Sequence, residues 1–238
     1  NQIMKNLFSK NWYKKLINNK QEVMIGYSDS SKDAGKICAS WNQYKAQEQI
    51  VKSAKKYGIK ASFFHGRGGS AGRGGGPIQA TLRSLPPNSV NGNIRITDQG
   101  EVIQQKYGYE PIAEYNICSY IGAVTEATLN PPPIPKEKWR SLIEKMSEIS
   151  KSSYRKNINQ SSEFIKYFKN VTPHLALGKL SIGSRPSKRK NIDNIKSLRA
   201  IPWVFAWTQI RLMLPAWLGS AEALRYAYIK KFRETLLD

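Results

Sequence analysis

Glycine, arginine and histidine are concentrated in the stretch FHGRGGSAGRGGG, residues 64–76, which we call the glycine loop. It contains seven glycines, two arginines and one histidine. Glycines let the backbone approach an anion closely and turn its N–H groups toward it. Arg67 and Arg73 each offer a planar fork of donors that suits a phosphate or a carboxylate, and His65 adds a titratable donor or acceptor. These residue types at this spacing indicate chemistry on a small anion.

Two other interpretations of the glycine loop compete with anion binding. Gly66, Gly68 and Ala71 satisfy a loose GxGxxA pattern, but no acid for a ribose hydroxyl follows about 20 residues later, as a dinucleotide site requires. The RGG tripeptides that begin at Arg67 and Arg73 are typical of segments that bind RNA. Such segments are usually repetitive and disordered, whereas these two copies lie between a predicted strand and a predicted helix. An RNA-binding protein therefore remains the alternative from another functional class.

Hydrophobic periodicity predicts the elements that position the glycine loop. Residues 22–27 and 59–64 are predicted to be short apolar strands, with a helix over residues 36–57 between them. Strands joined by a helical crossover are usually parallel. The glycine loop then begins at the carboxyl end of the second strand.

The remainder of the chain is predicted to be mostly helical. The predicted elements are a helix from Pro77 to about Ser84, a short strand at 93–97, helices at 114–129 and 136–156, and a basic loop at 184–197. The apolar segment IPWVFAW, residues 201–207, is predicted to be either a fourth strand or the start of a buried helix.

The charge, the cysteine content and the apolar stretches exclude some classes of protein but do not identify a single one. Lys and Arg outnumber Asp and Glu by 38 to 17, which gives a net charge of +21 in 238 residues. Such a charge is expected of a partner for nucleic acid, an anionic membrane or phosphorylated small molecules. Cys38 and Cys118 are far apart, so neither a disulfide framework nor a thiolate metal site is indicated. The apolar stretches are too short to span a bilayer, and a soluble cytoplasmic protein is expected.

Four segments in order resemble phosphoenolpyruvate carboxylase over about residues 22–220. They are VMIGYSDSSKDAG at 23–35, the glycine loop, LGKLSIGSRPSKRK at 177–190 and SLRAIPWVFAWTQIRLMLPAWLG at 197–219. The resemblance implies an α/β fold that is part of a (β/α)8-type barrel, heavily elaborated with α-helices and mostly helical by content. Residues 1–238 would form a partial catalytic barrel domain, with strand-loop-helix units at about 22–97 and a mainly helical portion at 98–238.

The resemblance also implies a reaction. Phosphoenolpyruvate and bicarbonate would give oxaloacetate and phosphate with Mg²⁺ or Mn²⁺, an anaplerotic supply to the tricarboxylic acid cycle. Bicarbonate would attack the phosphorus, carboxyphosphate and the enolate of pyruvate would form, and the enolate would then be carboxylated. The enzyme is expected to be a cytoplasmic homotetramer without a nucleic-acid or membrane partner.

The site residues follow from the same resemblance. Asp29 matches a metal ligand of the family. The positions that match catalytic residues are Lys32, His65, Arg67 and Arg73, and those that match substrate-binding arginines are Arg67, Arg73, Arg185 and Arg199. The expected location is the carboxyl-terminal end of the barrel strands, which agrees with loops that directly follow apolar strands.

The beginning of the chain departs from the family pattern. Residues 1–21 supply neither the family's upstream histidine nor its second carboxylate metal ligand. The chain is therefore expected to be a central portion of the enzyme, to hold about half of its catalytic site and to be inactive alone. An inactive remnant of a carboxylase is a further alternative.

Overall fold

The structure is a computed structural model that describes residues 2–66, 77–98, 100–158, 160–177, 179, 198–212, 214, 216–230 and 232–237. Three of the predicted site residues, Arg67, Arg73 and Arg185, lie outside these ranges. The strands are β1 Lys20–Gly26, β2 Lys60–Gly66 and β3 Arg95–Ile96. The helices are α1 Gln2–Phe8, α2 Asn11–Leu16, α3 Ser28–Ala34, α4 Lys36–Lys56, α5 Ile78–Arg83, α6 Gly100–Tyr107, α7 Glu110–Leu129, α8 Glu137–Ile158, α9 Ser162–Val171, α10 His174–Leu177, α11 Ala200–Gln209, α12 Ser220–Ile229 and α13 Arg233–Leu237.

The chain divides into two compact units. The first consists of Asn1–Tyr27 and Asn42–Pro135, and the second of Ser28–Trp41 and Lys136–Asp238. Within the described ranges, no helix is both long enough and apolar enough to cross a membrane.

A parallel sheet in the order β1-β2-β3 forms the centre of the first unit. The register pairs Gly26 with Gly66 and His65 with Ile96, so the carboxyl ends of the strands meet at one edge of the sheet. The parallel arrangement confirms the expectation from the helical crossover. Ile25 and Phe63 pack with Ile50 of α4 in a buried cluster that fixes the register.

Aromatic side chains form the core of the second unit. Trp203 and Trp207 of α11 pack with Tyr154 of α8 and Phe168 of α9. In α11 the buried positions Trp203, Ala206 and Trp207 recur at a spacing of three and four residues, which is a helical period. Residues 201–207 therefore lie in a buried helix, and the alternative of a fourth strand is wrong.

The fold class agrees in part with the expectation. The described residues are mostly helical and contain three parallel strands, which is consistent with an α/β fold. This part of the chain does not show a closed (β/α)8 barrel.

Candidate active site

His65 lies at the carboxyl end of β2 in the first unit and is only 2% exposed. Its Nδ1 is joined by a 2.8 Å hydrogen bond to the hydroxyl of Tyr27, the first residue after β1. The backbone N–H of Thr97, which follows β3, donates to the carbonyl oxygen of His65 at 3.1 Å. Groups that directly follow β1 and β3 therefore hold this histidine of β2 at the edge where the glycine loop begins.

Asp29 lies in the first turn of α3 in the second unit and binds the start of α11. Its Oδ1 accepts a hydrogen bond from the backbone N–H of Ala200 at 2.9 Å, and its Oδ2 accepts one from Nη1 of Arg199 at 3.2 Å. The first N–H groups of a helix lack partners within the helix and attract negative charge. Asp29 thus caps α11, and the contact brings together two predicted site residues that are 170 positions apart.

The Nε–H group of Arg199 forms no hydrogen bond with any described residue. Its side chain is 26% exposed, but the Nε atom is buried and has no hydrogen-bond partner in the described part of the chain. A buried donor without a partner costs free energy unless another group pairs with it. The carboxylate of Asp29 pairs with Nη1 of the guanidinium, which leaves Nε for a further acceptor.

Lys32 lies in the last turn of α3, and its side chain is only 5% exposed. Its Nζ donates to Oδ1 of Asp33 at 3.1 Å and lies 6.0 Å from the centre of the Trp203 ring. A buried ammonium group requires a counter-charge and favourable contacts to offset its loss of hydration. Asp33 and Trp203 supply both, so the cation is held in place within the second unit.

Tyr154 contacts the same short helix from α8. Its hydroxyl donates to the carbonyl oxygen of Lys32 at 2.7 Å. Burial, with a smaller contribution from the negative charge of Asp33, raises the pKa of Tyr154 to about 12. The hydroxyl therefore stays protonated, and able to donate, at any physiological pH.

A divalent cation fits Asp29 only as one ligand of a larger set. Mg²⁺ is typically bound through one or two protein carboxylates, together with waters and phosphate oxygens. Asp29 offers such an oxygen donor, although the guanidinium of Arg199 is already paired with it. No group of three His, Cys, Asp or Glu side chains within the described ranges could hold a metal ion. The described residues therefore fit one metal ligand rather than a complete centre.

Comparison with known proteins decides the family. Residues 1–237 match the family model of phosphoenolpyruvate carboxylase. The chain belongs to the phosphoenolpyruvate carboxylase family. It is 53% identical over 221 residues to a phosphoenolpyruvate carboxylase of Marinobacter nauticus, a match that covers 93% of this chain and 25% of the relative. It is also 53% identical to phosphoenolpyruvate carboxylase 3 of Arabidopsis thaliana, with 95% of this chain and 24% of the relative covered.

A phosphoenolpyruvate carboxylase of Escherichia coli O1:K1 / APEC shows 52% identity over 94% of this chain and 26% of its own length. The chain therefore spans about a quarter of the length of the curated relatives that it matches. These matches confirm the family predicted from the four ordered segments. They give no support to the alternatives of an RNA-binding protein or an inactive remnant.

The structure describes some of the predicted site residues but not others. Asp29 and Arg199 are in direct contact, and Lys32 lies in the same unit on the helix that carries Asp29. His65 belongs to the first unit, where it pairs with Tyr27. Arg67, Arg73 and Arg185 lie outside the described residues, so their roles stay predictions.

Sequence reasoning missed several residues that hold the site. Asp33 and Trp203 flank the ammonium of Lys32, Tyr27 binds His65, and Tyr154 binds the backbone of Lys32. Tyr27, Asp33 and Trp203 lie inside two of the segments that carry the family resemblance, which was the available signal. Tyr154 lies outside all four segments and 122 positions from its partner, so no pattern in the sequence indicated it.

Proposed function

We propose that this chain contributes to the active site of an enzyme that carboxylates phosphoenolpyruvate with bicarbonate, giving oxaloacetate and phosphate. Membership of the phosphoenolpyruvate carboxylase family supports the proposal. The single observation that carries it is the pairing of Asp29 with Arg199 at the start of α11, beside a donor of Arg199 that no described residue uses. A guanidinium held in this way is prepared to bind an anionic substrate.

The substrate requires several forked donors. Phosphoenolpyruvate carries a phosphate and a carboxylate, and a guanidinium can bind each with two parallel hydrogen bonds. We assign Arg67, Arg73, Arg185 and Arg199 to these two groups. Asp29 holds Arg199 in one orientation, so that little conformational entropy is lost when the substrate binds.

The reaction develops negative charge, and we assign its stabilisation to cations of this chain. A bicarbonate oxygen forms a bond to phosphorus, the bond from phosphorus to the enol oxygen breaks, and the enolate keeps the electron pair. The bond between the carboxyl carbon and the oxygen now on phosphorus then breaks, phosphate leaves with that electron pair, and the enolate carbon forms the new carbon–carbon bond to the carboxyl carbon. Lys32 stabilises the developing anion, and His65 holds the phosphate and the groups derived from bicarbonate. Fixed charges in a site shielded from water act strongly on such a transition state.

Asp29 is proposed as one ligand of Mg²⁺ or Mn²⁺. When bound, this ion would supply Lewis-acid stabilisation to the enolate and phosphate oxygens. The other ligands would come from residues beyond those described, from water and from the substrate. Asp29 itself orients Arg199 through the contact at 3.2 Å.

We propose a cytoplasmic homotetramer as the working form of the enzyme, with the product feeding the tricarboxylic acid cycle. Neither a nucleic-acid nor a membrane partner is part of this proposal. On this account the high net charge need not reflect RNA binding, since phosphoenolpyruvate and bicarbonate are both anions.

Arg73→Lys in the native polypeptide that contains this chain tests the role of the glycine loop. Lysine keeps the charge but loses the fork of donors, so kcat/KM for phosphoenolpyruvate is expected to fall by about 10- to 100-fold. The matched control is Arg83→Lys, since Arg83 of α5 is exposed and 4.0 Å from Glu126. Unchanged kcat/KM in Arg73→Lys would contradict the assignment of the loop to the substrate.

A further inference from the structure

Helix α3 carries two proposed site residues, Asp29 and Lys32, but is too short to be stable by itself. It is seven residues long, with the sequence SDSSKDA, and Lys32 is its only buried residue. Isolated helices of this length are unstable in water because the first turn is costly to form. Contacts from other elements must therefore fix where Asp29 and Lys32 lie.

Tyr154 makes one such contact, and it is buried. The side chain is 1% exposed and belongs to the aromatic core that includes Trp203. Its hydroxyl donates to the carbonyl oxygen of Lys32, one of the carbonyls at the end of α3 that lack a partner within the helix. Arg155, the next residue of α8, donates from Nε to the carbonyl oxygen of Asp33 at 3.3 Å.

Gly35, the residue that follows α3, packs closely against the Tyr154 ring. Gly35 has φ +77°, and a Cβ at this position would lie 3.3 Å from Cγ and Cδ2 of Tyr154. The ring therefore packs against the bare backbone where α3 ends. Lys36, which follows Gly35, is also held in place, because its backbone N–H donates to the carbonyl oxygen of Ala216 at 2.5 Å.

The backbone of Tyr154 is itself closely packed against Gly219. A Cβ on Gly219 would lie 2.5 Å from the carbonyl oxygen of Ser150 and 3.1 Å from the backbone nitrogen of Tyr154. Close backbone packing of this kind leaves the turn of α8 that carries Tyr154 little freedom to shift. The hydroxyl is thus a rigid support for the end of α3.

We infer that Tyr154 is a positioning residue for Lys32, acting through the hydrogen bond that fixes the end of α3. Lys32 Nζ lies 6.0 Å from the Trp203 ring centre, and Trp203 packs in the same core as Tyr154. One aromatic core therefore locates both the backbone and the ammonium group of Lys32. The inference rests on the proposed function, in which Lys32 stabilises the developing anion.

Tyr154→Phe in the native polypeptide removes the hydroxyl and keeps the ring. We expect kcat to fall by about tenfold, because a small displacement of a catalytic group is costly. The KM for phosphoenolpyruvate should change by less than about twofold, because Lys32 acts mainly in the transition state. Acetylation of Lys32 by acetic anhydride, followed by mass spectrometry, should become several-fold faster. The matched control is Tyr167→Phe, since Tyr167 stacks on Trp207 in the same core but is half exposed.

The double variant separates positioning from a general structural effect. If Tyr154 acts through Lys32, Tyr154→Phe should cause little further loss in the residual turnover of a Lys32→Ala background. The inference would be overturned if Tyr154→Phe lowered kcat by the same factor in the Lys32→Ala background and in the otherwise unaltered protein. Unchanged acetylation of Lys32 in Tyr154→Phe would also overturn it. Full activity of Lys32→Ala alone would instead contradict the proposed function of Lys32, and the acetylation rate would still test the contact with Tyr154.

Discussion

Asp29→Asn in the native polypeptide is expected to lower the rate of oxaloacetate formation by about 100- to 1,000-fold, as loss of a preorganised electrostatic group does in other active sites. Asparagine has nearly the same shape, so its oxygen can still accept the hydrogen bond from the N–H of Ala200. The negative charge that orients Arg199 and that is proposed to bind the metal ion is lost. Activity should therefore fall much more than stability.

The control for this prediction is Glu148→Gln, which removes an exposed ion pair with Lys145 on α8. Exposed pairs contribute little, so this variant should keep both its rate and its midpoint of thermal unfolding. The measurements are a coupled assay for oxaloacetate and a thermal unfolding curve for each protein. Asp29→Asn with a normal rate would exclude Asp29 from the site.

Gly219→Ala is expected to destabilise the second unit by about 3 kcal/mol, the sum of strain at positive φ and of overpacking. Gly219 has φ +87° at the start of α12, a conformation that residues with a Cβ rarely adopt. The added Cβ would also lie 2.5 Å from the carbonyl oxygen of Ser150, which belongs to the backbone of α8 and cannot rotate away. Both effects oppose folding, and the midpoint of urea unfolding should fall.

Gly58→Ala separates the strain at positive φ from the overpacking. Gly58 has φ +69°, but a Cβ there would meet nothing within 4 Å. Only the conformational strain should appear, at about 1 kcal/mol in the free energy of unfolding. If Gly219→Ala and Gly58→Ala lowered the free energy of unfolding equally, the close contact of Gly219 with Ser150 would not constrain the fold.

Much of the sheet could be predicted from the sequence, because short apolar runs bounded by glycine have few alternatives. Strands β1 and β2 lie within two residues of the predicted ranges, and helix α4 matches closely. Strand β3 is shorter than predicted, since only Arg95 and Ile96 pair with β2. Helix α7 begins four residues before the prediction, with Pro111 in its first turn, where proline is tolerated.

Helix α3 could not be predicted, because SDSSKDA contains no apolar period. Its contacts with Tyr154 and α11 come from more than 100 residues away in the chain. The residue types at the site were visible in the sequence, and the family resemblance named them. The pairing of Asp29 with Arg199 was not visible, since a single sequence does not reveal which distant side chains meet.

The most direct test of the account follows the oxygen atoms of bicarbonate. The native polypeptide that contains this chain would be incubated with phosphoenolpyruvate, Mg²⁺ and bicarbonate labelled with ¹³C and ¹⁸O. The account predicts oxaloacetate that carries ¹³C and phosphate that carries ¹⁸O, because a bicarbonate oxygen attacks the phosphorus. In Asp29→Asn, both labelled products should form more slowly by the same factor, about 100- to 1,000-fold. Phosphate without ¹⁸O, or no labelled oxaloacetate from the unaltered protein, would contradict the proposed function.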